Sequence, residues 1–284
     1  MTLSDAWVDF VAGWCSGAAA VLALQPVDTV LTRWQAGLTV QTQGAGVGGA
    51  VFVRSMAKSL TETSGFVALW RGSSPMIGAV PIQNALLMGG YGVGQKYSEA
   101  YAPNHRIAAI FIGGCTGGVL QSFLMSPVEL VKVSQQCAGK SLTAASSEVA
   151  WNIYHSTAWR GLGATLLRDG IPHGIWFAAY EFSKDGLKEN VTEDPVLVPL
   201  TSGAIAATVA WAVGYPADLI KTRIQASTTP VGIMDTARQI IKESNGRVIA
   251  GLYQGFGLKL VRSVPASMIG FTTYELVKSA VEKM

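Results

Sequence analysis

Three copies of one short pattern stand where long uncharged stretches of the chain end. The first runs Gln25-Pro26-Val27-Asp28-Thr29-Val30-Leu31-Thr32-Arg33-Trp34-Gln35. The second is Ser126-Pro127-Val128-Glu129-Leu130-Val131-Lys132-Val133-Ser134-Gln135-Gln136, and the third Tyr215-Pro216-Ala217-Asp218-Leu219-Ile220-Lys221-Thr222-Arg223-Ile224-Gln225. Stretches 10–27, 107–128 and 195–217, which run into these patterns, lack any Asp, Glu, Lys or Arg, as does 72–95. A helix crosses a bilayer with about 20 apolar residues, so the four predict spanning helices. Two more apolar stretches, 162–184 and 256–278, are interrupted by Arg168, Asp169 and Glu181 and by Arg262 and Glu275. Charge inside a span faces an aqueous cavity or a partner, so the interrupted pair is the informative one. The expected fold is an all-α membrane protein with six transmembrane helices. It is one domain, 1–284, in three repeats, 1–100, 101–192 and 193–284, with both termini on one side.

Composition agrees with that class. Only 14% of residues are charged and 49% are hydrophobic, which excludes a disordered chain. A net charge of +3 over 284 residues gives no basic field for a nucleic acid. No Lys or Arg occurs before Arg33, so neither a secretory signal nor an Arg-rich transit peptide is read there, and targeting information is expected to be internal. Cys15, Cys115 and Cys137 are too few and too scattered for a disulfide framework or a metal site and read as small apolar residues. Gly44-Ala45-Gly46-Val47-Gly48-Gly49 formally matches a dinucleotide fingerprint, but no strand precedes it, so it reads as a loop. No cofactor, metal or nucleophilic motif appears, and an enzyme is not expected.

The repeat extends beyond the prolines. Upstream, Gly13 and Gly17, Gly114 and Gly118, and Gly203 and Ala207 stand four apart, a spacing that lets membrane helices approach closely. Val53, Met56, Ala57 and Leu60, and later Ile233, Ala237, Ile240 and Ile241, form stripes predicting short amphipathic helices at an interface; the segment around 142–154 is less regular. Then come Trp70-Arg71-Gly72, Trp159-Arg160-Gly161 and Tyr253-Gln254-Gly255. A proline inside a helix bends it. Three bent helices about a pseudo-threefold axis converge, so the acidic residue of one repeat meets the basic residue of the next. The predicted pairs are Asp28–Lys132, Glu129–Lys221 and Asp218 with position 31.

Three copies of Pro-x-Asp/Glu-x-x-Lys/Arg followed by glutamine resemble the mitochondrial carrier family over nearly the whole chain. That resemblance implies a multi-pass solute carrier of the mitochondrial inner membrane, with one central site and alternating access. It implies that Asp28, Glu129, Lys132, Asp218 and Lys221 close the matrix side and that Gln35, Gln136 and Gln225 brace them. A second family pattern, Tyr-Asp/Glu-x-x-Lys, matches Tyr180-Glu181 with Lys184 and Tyr274-Glu275 with Lys278, which would close the opposite side. The chain departs from the family in two places. Leu31 stands where a cation belongs, leaving Asp218 without a partner, and Tyr91-Gly92-Val93-Gly94-Gln95 carries neither charge of the second pattern. Two matrix pairs and one opposite pair, Glu181–Lys278, are therefore expected, with lowered opening barriers, and Leu31→Lys is expected to strengthen the matrix side and slow exchange.

Specificity should come from polar residues midway along the helices. Arg168 offers a permanently charged planar fork for a carboxylate, Asp169 suits an ammonium, and Arg262 adds a second cation. The pair fits a zwitterion if the two side chains face the hollow rather than each other; adjacent residues on a helix point about 100° apart. The Arg-Asp pair, together with the stretch from Asn84 to Gly92, resembles carriers for amino acids and for carnitine or acylcarnitines. By that resemblance Asn84, Arg168, Asp169 and Arg262 are the contacts. Nucleotide carriers tend to have glycine and an aliphatic residue at 168–169, and keto-acid carriers arginine and a neutral polar one. The expected solute is an amino acid, foremost a basic one, or carnitine. The alternatives are another carboxylate, or a carrier-like scaffold that transports nothing. Trp176 reads as a lipid-facing or interfacial residue rather than a cation–π surface, and His173 as a packing residue. Expected partners are the solute and membrane lipid, cardiolipin included, and the chain is expected to be a monomer.

Overall fold

The computed structural model describes residues 3–37, 49–101, 105–154, 159, 161–191, 194, 196–227 and 231–281. Six long helices dominate: α1 (Leu3–Gln35), α3 (Ser73–Tyr101), α4 (Arg106–Ala138), α6 (Leu162–Asn190), α7 (Leu197–Ala226) and α10 (Phe256–Val281). Four shorter ones, α2 (Gly49–Ser64), α5 (Leu142–Tyr154), α8 (Ile233–Glu243) and α9 (Val248–Leu252), lie in the connections. The long helices pack in chain order into a ring that α10 closes against α1. Phe10–Gln35 of α1, all of α4 and all of α7 are long and apolar enough to cross a membrane by length and composition. The other three long helices carry more polar residues, several of which line the interior of the ring.

A proline sits inside every long helix: Pro26, Pro81, Pro127, Pro172, Pro216 and Pro265. The repeat pattern flagged only Pro26, Pro127 and Pro216. Gly72, Gly161 and Gly255 open α3, α6 and α10 with φ of 87°, 82° and 86°, a left-handed backbone that an L side chain resists. Each also backs onto the proline-pattern helix of the next repeat, α4, α7 and α1 in turn. A Cβ on Gly72 would stand 2.9 Å from Lys132 Cγ, one on Gly161 3.4 Å from Gln225 Cγ, and one on Gly255 3.3 Å from Leu31 Cδ1. The threefold pattern of the sequence is thus a threefold pattern of contacts, with Leu31 in the place of the cation.

The interfacial helices each complete a small apolar cluster. Met56 and Leu60 of α2 pack with Val30 and Leu69, and Ile240 of α8 packs with Tyr215, Leu219, Ile220 and Ile224. The less regular segment forms α5, whose Ala145 and Val149 pack on Leu130 and Val131. The small residues divide in a way their spacing did not foretell. Gly114 and Gly118 lie against Gly174 and the carbonyl of Asp169, so α4 and α6 touch backbone to backbone. Gly13 and Gly203 have nothing within 4 Å of a would-be Cβ; they line the large cavity instead. The three cysteines are free and half-buried.

Asp194 accepts the backbone N–H groups of Val196 and Leu197, each at 2.8 Å, and so caps the start of α7. These bonds to the charged form hold its carboxyl below the usual range. A lowered folded pKa contributes stability above the unfolded pKa, and that contribution is lost as pH falls through the folded one. Asp194→Ala is expected to speed amide hydrogen exchange in the first turn of α7 at neutral pH. The difference from wild type should fade as the pH falls below the usual carboxylate pKa.

Candidate functional site

The ring encloses a cavity of about 860 Å³ lined by Asn84, Trp176, Tyr180, Arg262 and Tyr274 among others. Adjoining it is a smaller polar chamber of about 200 Å³. Met76, Gln83 and Arg262 line both. The chamber's floor consists of the three repeat carboxylates, Asp28, Glu129 and Asp218, each no more than 8% exposed. Isolated charges at such burial are untenable, so partners are required.

Each carboxylate has two cations. Asp28 pairs with Lys132 at 2.6 Å, and Arg262 Nε lies 2.8 Å from its other oxygen. Glu129 is held by Lys221 and by Arg168 Nη1 at 2.6 Å. Asp218 pairs with Lys259 at 2.8 Å, with Arg168 Nη1 farther off at 3.6 Å. Asp28–Lys132 and Glu129–Lys221 are the predicted pairs. The expectation that Asp218 lacks a partner is overturned: Lys259, 6% exposed and with Nζ 3.8 Å from the centre of the Trp211 ring, supplies the charge that Leu31 does not. Sequence reasoning passed over Lys259 because it aligns with Met76 and Thr165 in the other repeats. The available signal was a lone lysine near the start of an apolar span.

Two of the three glutamines touch the carboxylates. Gln136 Nε2 lies 3.2 Å from Asp28 and Gln35 Nε2 3.0 Å from Asp218. Gln225 instead donates to the carbonyl of Ser126 at 3.4 Å, one turn before Glu129. At the other end, Glu181 is bound by Arg106 at 2.8 Å and by Lys184 of its own helix at 3.2 Å. Arg106 also reaches Asp185 at 3.1 Å. The side chains of Glu275 and Lys278, and with them the predicted Glu181–Lys278 pair, lie outside the described residues, as do Arg160, His155 and the glycine-rich loop 44–48.

The predicted solute contacts fall in two places. Asn84 is exposed on the wall of the large cavity, and Arg262 lies at its junction with the polar chamber. Arg168 and Asp169 line that chamber and a flanking apolar recess of about 290 Å³ with Trp176, Phe177 and Trp211. They also face each other: Arg168 Nε and Nη2 donate to the two Asp169 oxygens at 2.6 and 2.7 Å. The 100° between neighbouring Cβ directions does not keep them apart, because side chains are not fixed rods. A guanidinium on three methylenes bends back, and at 9% and 3% exposure little water competes for either charge. Trp176 is likewise a cavity residue, stacked on Tyr180 at 5.4 Å, contrary to the lipid-facing reading. His173 packs as expected, between the Asp169 carbonyl at 2.7 Å and Gln121 at 2.9 Å.

Three pseudo-equivalent units around a hollow floored by paired charges describe a solute carrier, and the family model described as "Mitochondrial carrier protein" matches residues 3–101, 103–191 and 192–284. The chain belongs to the mitochondrial carrier family: it is a multi-pass transporter of the mitochondrial inner membrane, not an enzyme. It is 28% identical to the mitochondrial arginine transporter BAC2 of Arabidopsis thaliana over 94% of this chain and 89% of that protein. It is 29% identical to the mitochondrial carnitine/acylcarnitine carrier-like protein of the same plant over 98% of this chain and all of that one. It is also 31% identical to the electrogenic aspartate/glutamate antiporter SLC25A13 of Homo sapiens; there it covers 95% of its own length but only 40% of that longer protein.

Proposed function

We propose that the chain exchanges a zwitterionic metabolite, foremost a basic amino acid and in second place carnitine or an acylcarnitine. The observation that carries this is that Arg168 and Asp169, one permanent cation and one carboxylate, both line the polar chamber; they do face each other, so the solute must displace their mutual contact. A solute with a carboxylate and an ammonium at short distance can replace each partner of the pair with its own opposite charge. Arg262 takes a share of the carboxylate, and Asn84 orients the solute from the cavity wall. Relatives with arginine and carnitine in their names support the same reading.

The gating role of the carboxylates follows from their connections. Arg168 is bonded to Glu129 and Arg262 lies against Asp28, so a solute that captures either cation loosens the floor. A ligand moves a two-state equilibrium only by binding one state better. Here the differential is built in, because the solute's carboxylate competes with the gate carboxylates for the same cations. Asp28–Lys132 and Glu129–Lys221 would close the matrix side, with Asp218 held beside them by Lys259 and Gln35, and Glu181, Lys184, Glu275 and Lys278 would serve the other. A non-transporting scaffold gains nothing from this floor, since the missing third pair that favoured it is supplied by Lys259. The unit works as a monomer, its outer wall against lipid, cardiolipin included.

A thermal-shift panel on the detergent-purified chain tests the solute class, since a ligand that binds the folded state raises Tm. Arginine, lysine and carnitine are expected to stabilise it, whereas ADP and malate are not. Stabilisation by ADP or malate alone would overturn the zwitterion reading.

A further inference from the structure

We infer that Lys259 is a positioning residue that replaces the absent cation of the first repeat, and that it makes the floor asymmetric. The inference rests on the gating role proposed above. Asp28–Lys132 joins α1 to α4, and Glu129–Lys221 joins α4 to α7, so a repeat carboxylate–lysine pair crosses two of the three boundaries between repeats; at the third, Arg262 of α10 lies against Asp28 of α1. Asp218 and Lys259 both belong to the third repeat, on α7 and α10. Their pair therefore does not tie α7 to α1.

Between α7 and α1 themselves the contact consists of hydrogen bonds centred on one residue. Gln35 donates to Asp218 at 3.0 Å and accepts from Thr222 at 3.2 Å, while Arg223 Nε donates to the Gln35 carbonyl at 3.0 Å. Leu31, at the position equivalent to Lys132 and Lys221, is 2% exposed and contributes only apolar contact. Opening the floor at this boundary thus separates Arg262 from Asp28 but need not part Asp218 from its lysine. Asp218 and Lys259 belong to one repeat, so their pair crosses no boundary that must open. Lys259 keeps a buried carboxylate satisfied in both conformations, which a lysine at position 31 could do only in the closed one.

Relocating the cation tests this. In Lys259→Met the charge of Asp218 loses its nearest partner, and Tm in detergent is expected to fall by about 5 °C or more. Leu31→Lys alone, expected from sequence to strengthen the matrix side, instead adds a surplus buried ammonium because Asp218 is already paired, and should also lower Tm. Combined, Leu31→Lys/Lys259→Met should recover at least about half of the loss, because Asp218 is paired again, now from α1. In liposomes, with labelled arginine as the probe, the double variant should keep the wild-type KM and lose about 3- to 10-fold in kcat, since a further cross-repeat pair must now break besides Arg262–Asp28. A double variant no more stable than Lys259→Met would overturn the inference, as would a kcat equal to wild type. Asp28→Asn, Lys132→Gln and their combination serve as a reference. Coupling in that cycle without coupling between Asp218→Asn and Lys259→Met removes Lys259 and leaves the gating role standing. Coupling in neither cycle removes both. The thermal arm judges Lys259 even if arginine is not the solute.

Discussion

Arg168→Ala is expected to reduce solute exchange at least about 100-fold. The guanidinium joins three elements: Glu129 on α4, Asp169 on α6 and, more loosely, Asp218 on α7. A hydrogen bond to a charged group contributes about 1.5–3 kcal/mol, more when its loss strands a buried charge. At about 1.4 kcal/mol per tenfold, losing the solute contact alone accounts for one to two decades. The rest comes from Asp169, whose carboxylate keeps Ser122 at 3.5 Å and takes up the solute's ammonium with no carboxylate contact beside it. Glu129 suffers less because Lys221 remains. Arg168→Lys should fall at least about 10-fold, since an ammonium is a point charge and cannot span Glu129 and both Asp169 oxygens. Initial uptake rates in liposomes, with Tm measured alongside, check both variants. Arg168→Ala/Asp169→Ala separates folding from recognition: it should recover Tm relative to Arg168→Ala and remain inactive.

The second large effect is expected at Gly118. There α4 comes so close to α6 that a Cβ would overlap the carbonyl oxygen of Asp169 and stand 3.2 Å from the Cβ of His173. The obstacle is backbone, so Gly118→Val cannot be absorbed by the yielding of a flexible side chain. Overpacking typically costs about 1–3 kcal/mol and more where backbone must move. The displaced segment carries Arg168 and Asp169, so loss of stability and loss of transport should appear together. Gly13→Ala and Gly203→Ala serve as controls, because nothing lies within 4 Å of either Cβ position; both should fold with Tm close to wild type. Expression and thermal unfolding of the three variants make the comparison.

Much of this architecture is written in local chemistry. Uncharged stretches and interfacial stripes announce helices one at a time, and a repeat announces which of them are equivalent. Asp28 and Lys132 could be paired on paper because both belong to the repeat. Lys259 could not, since its partnership with Asp218 exists only after α10 has come round beside α7, and nothing at the matching positions Met76 and Thr165 hints at it. The Arg168–Asp169 contact stayed an open alternative for another reason. Helical geometry fixes where Cβ atoms point, but a long side chain in a dry chamber goes wherever its charge is answered. Gly13 and Gly203 show the converse: small residues at packing intervals read the same whether they meet a helix or border a hollow.

Exchange by the full-length chain in liposomes loaded with unlabelled arginine tests the central claim most directly. The prediction is uptake of labelled arginine or carnitine that depends on internal solute, resists external ADP and malate, and disappears in Arg168→Ala. Uptake of ADP or malate with no uptake of any zwitterion, or zwitterion uptake undiminished in Arg168→Ala, would contradict it.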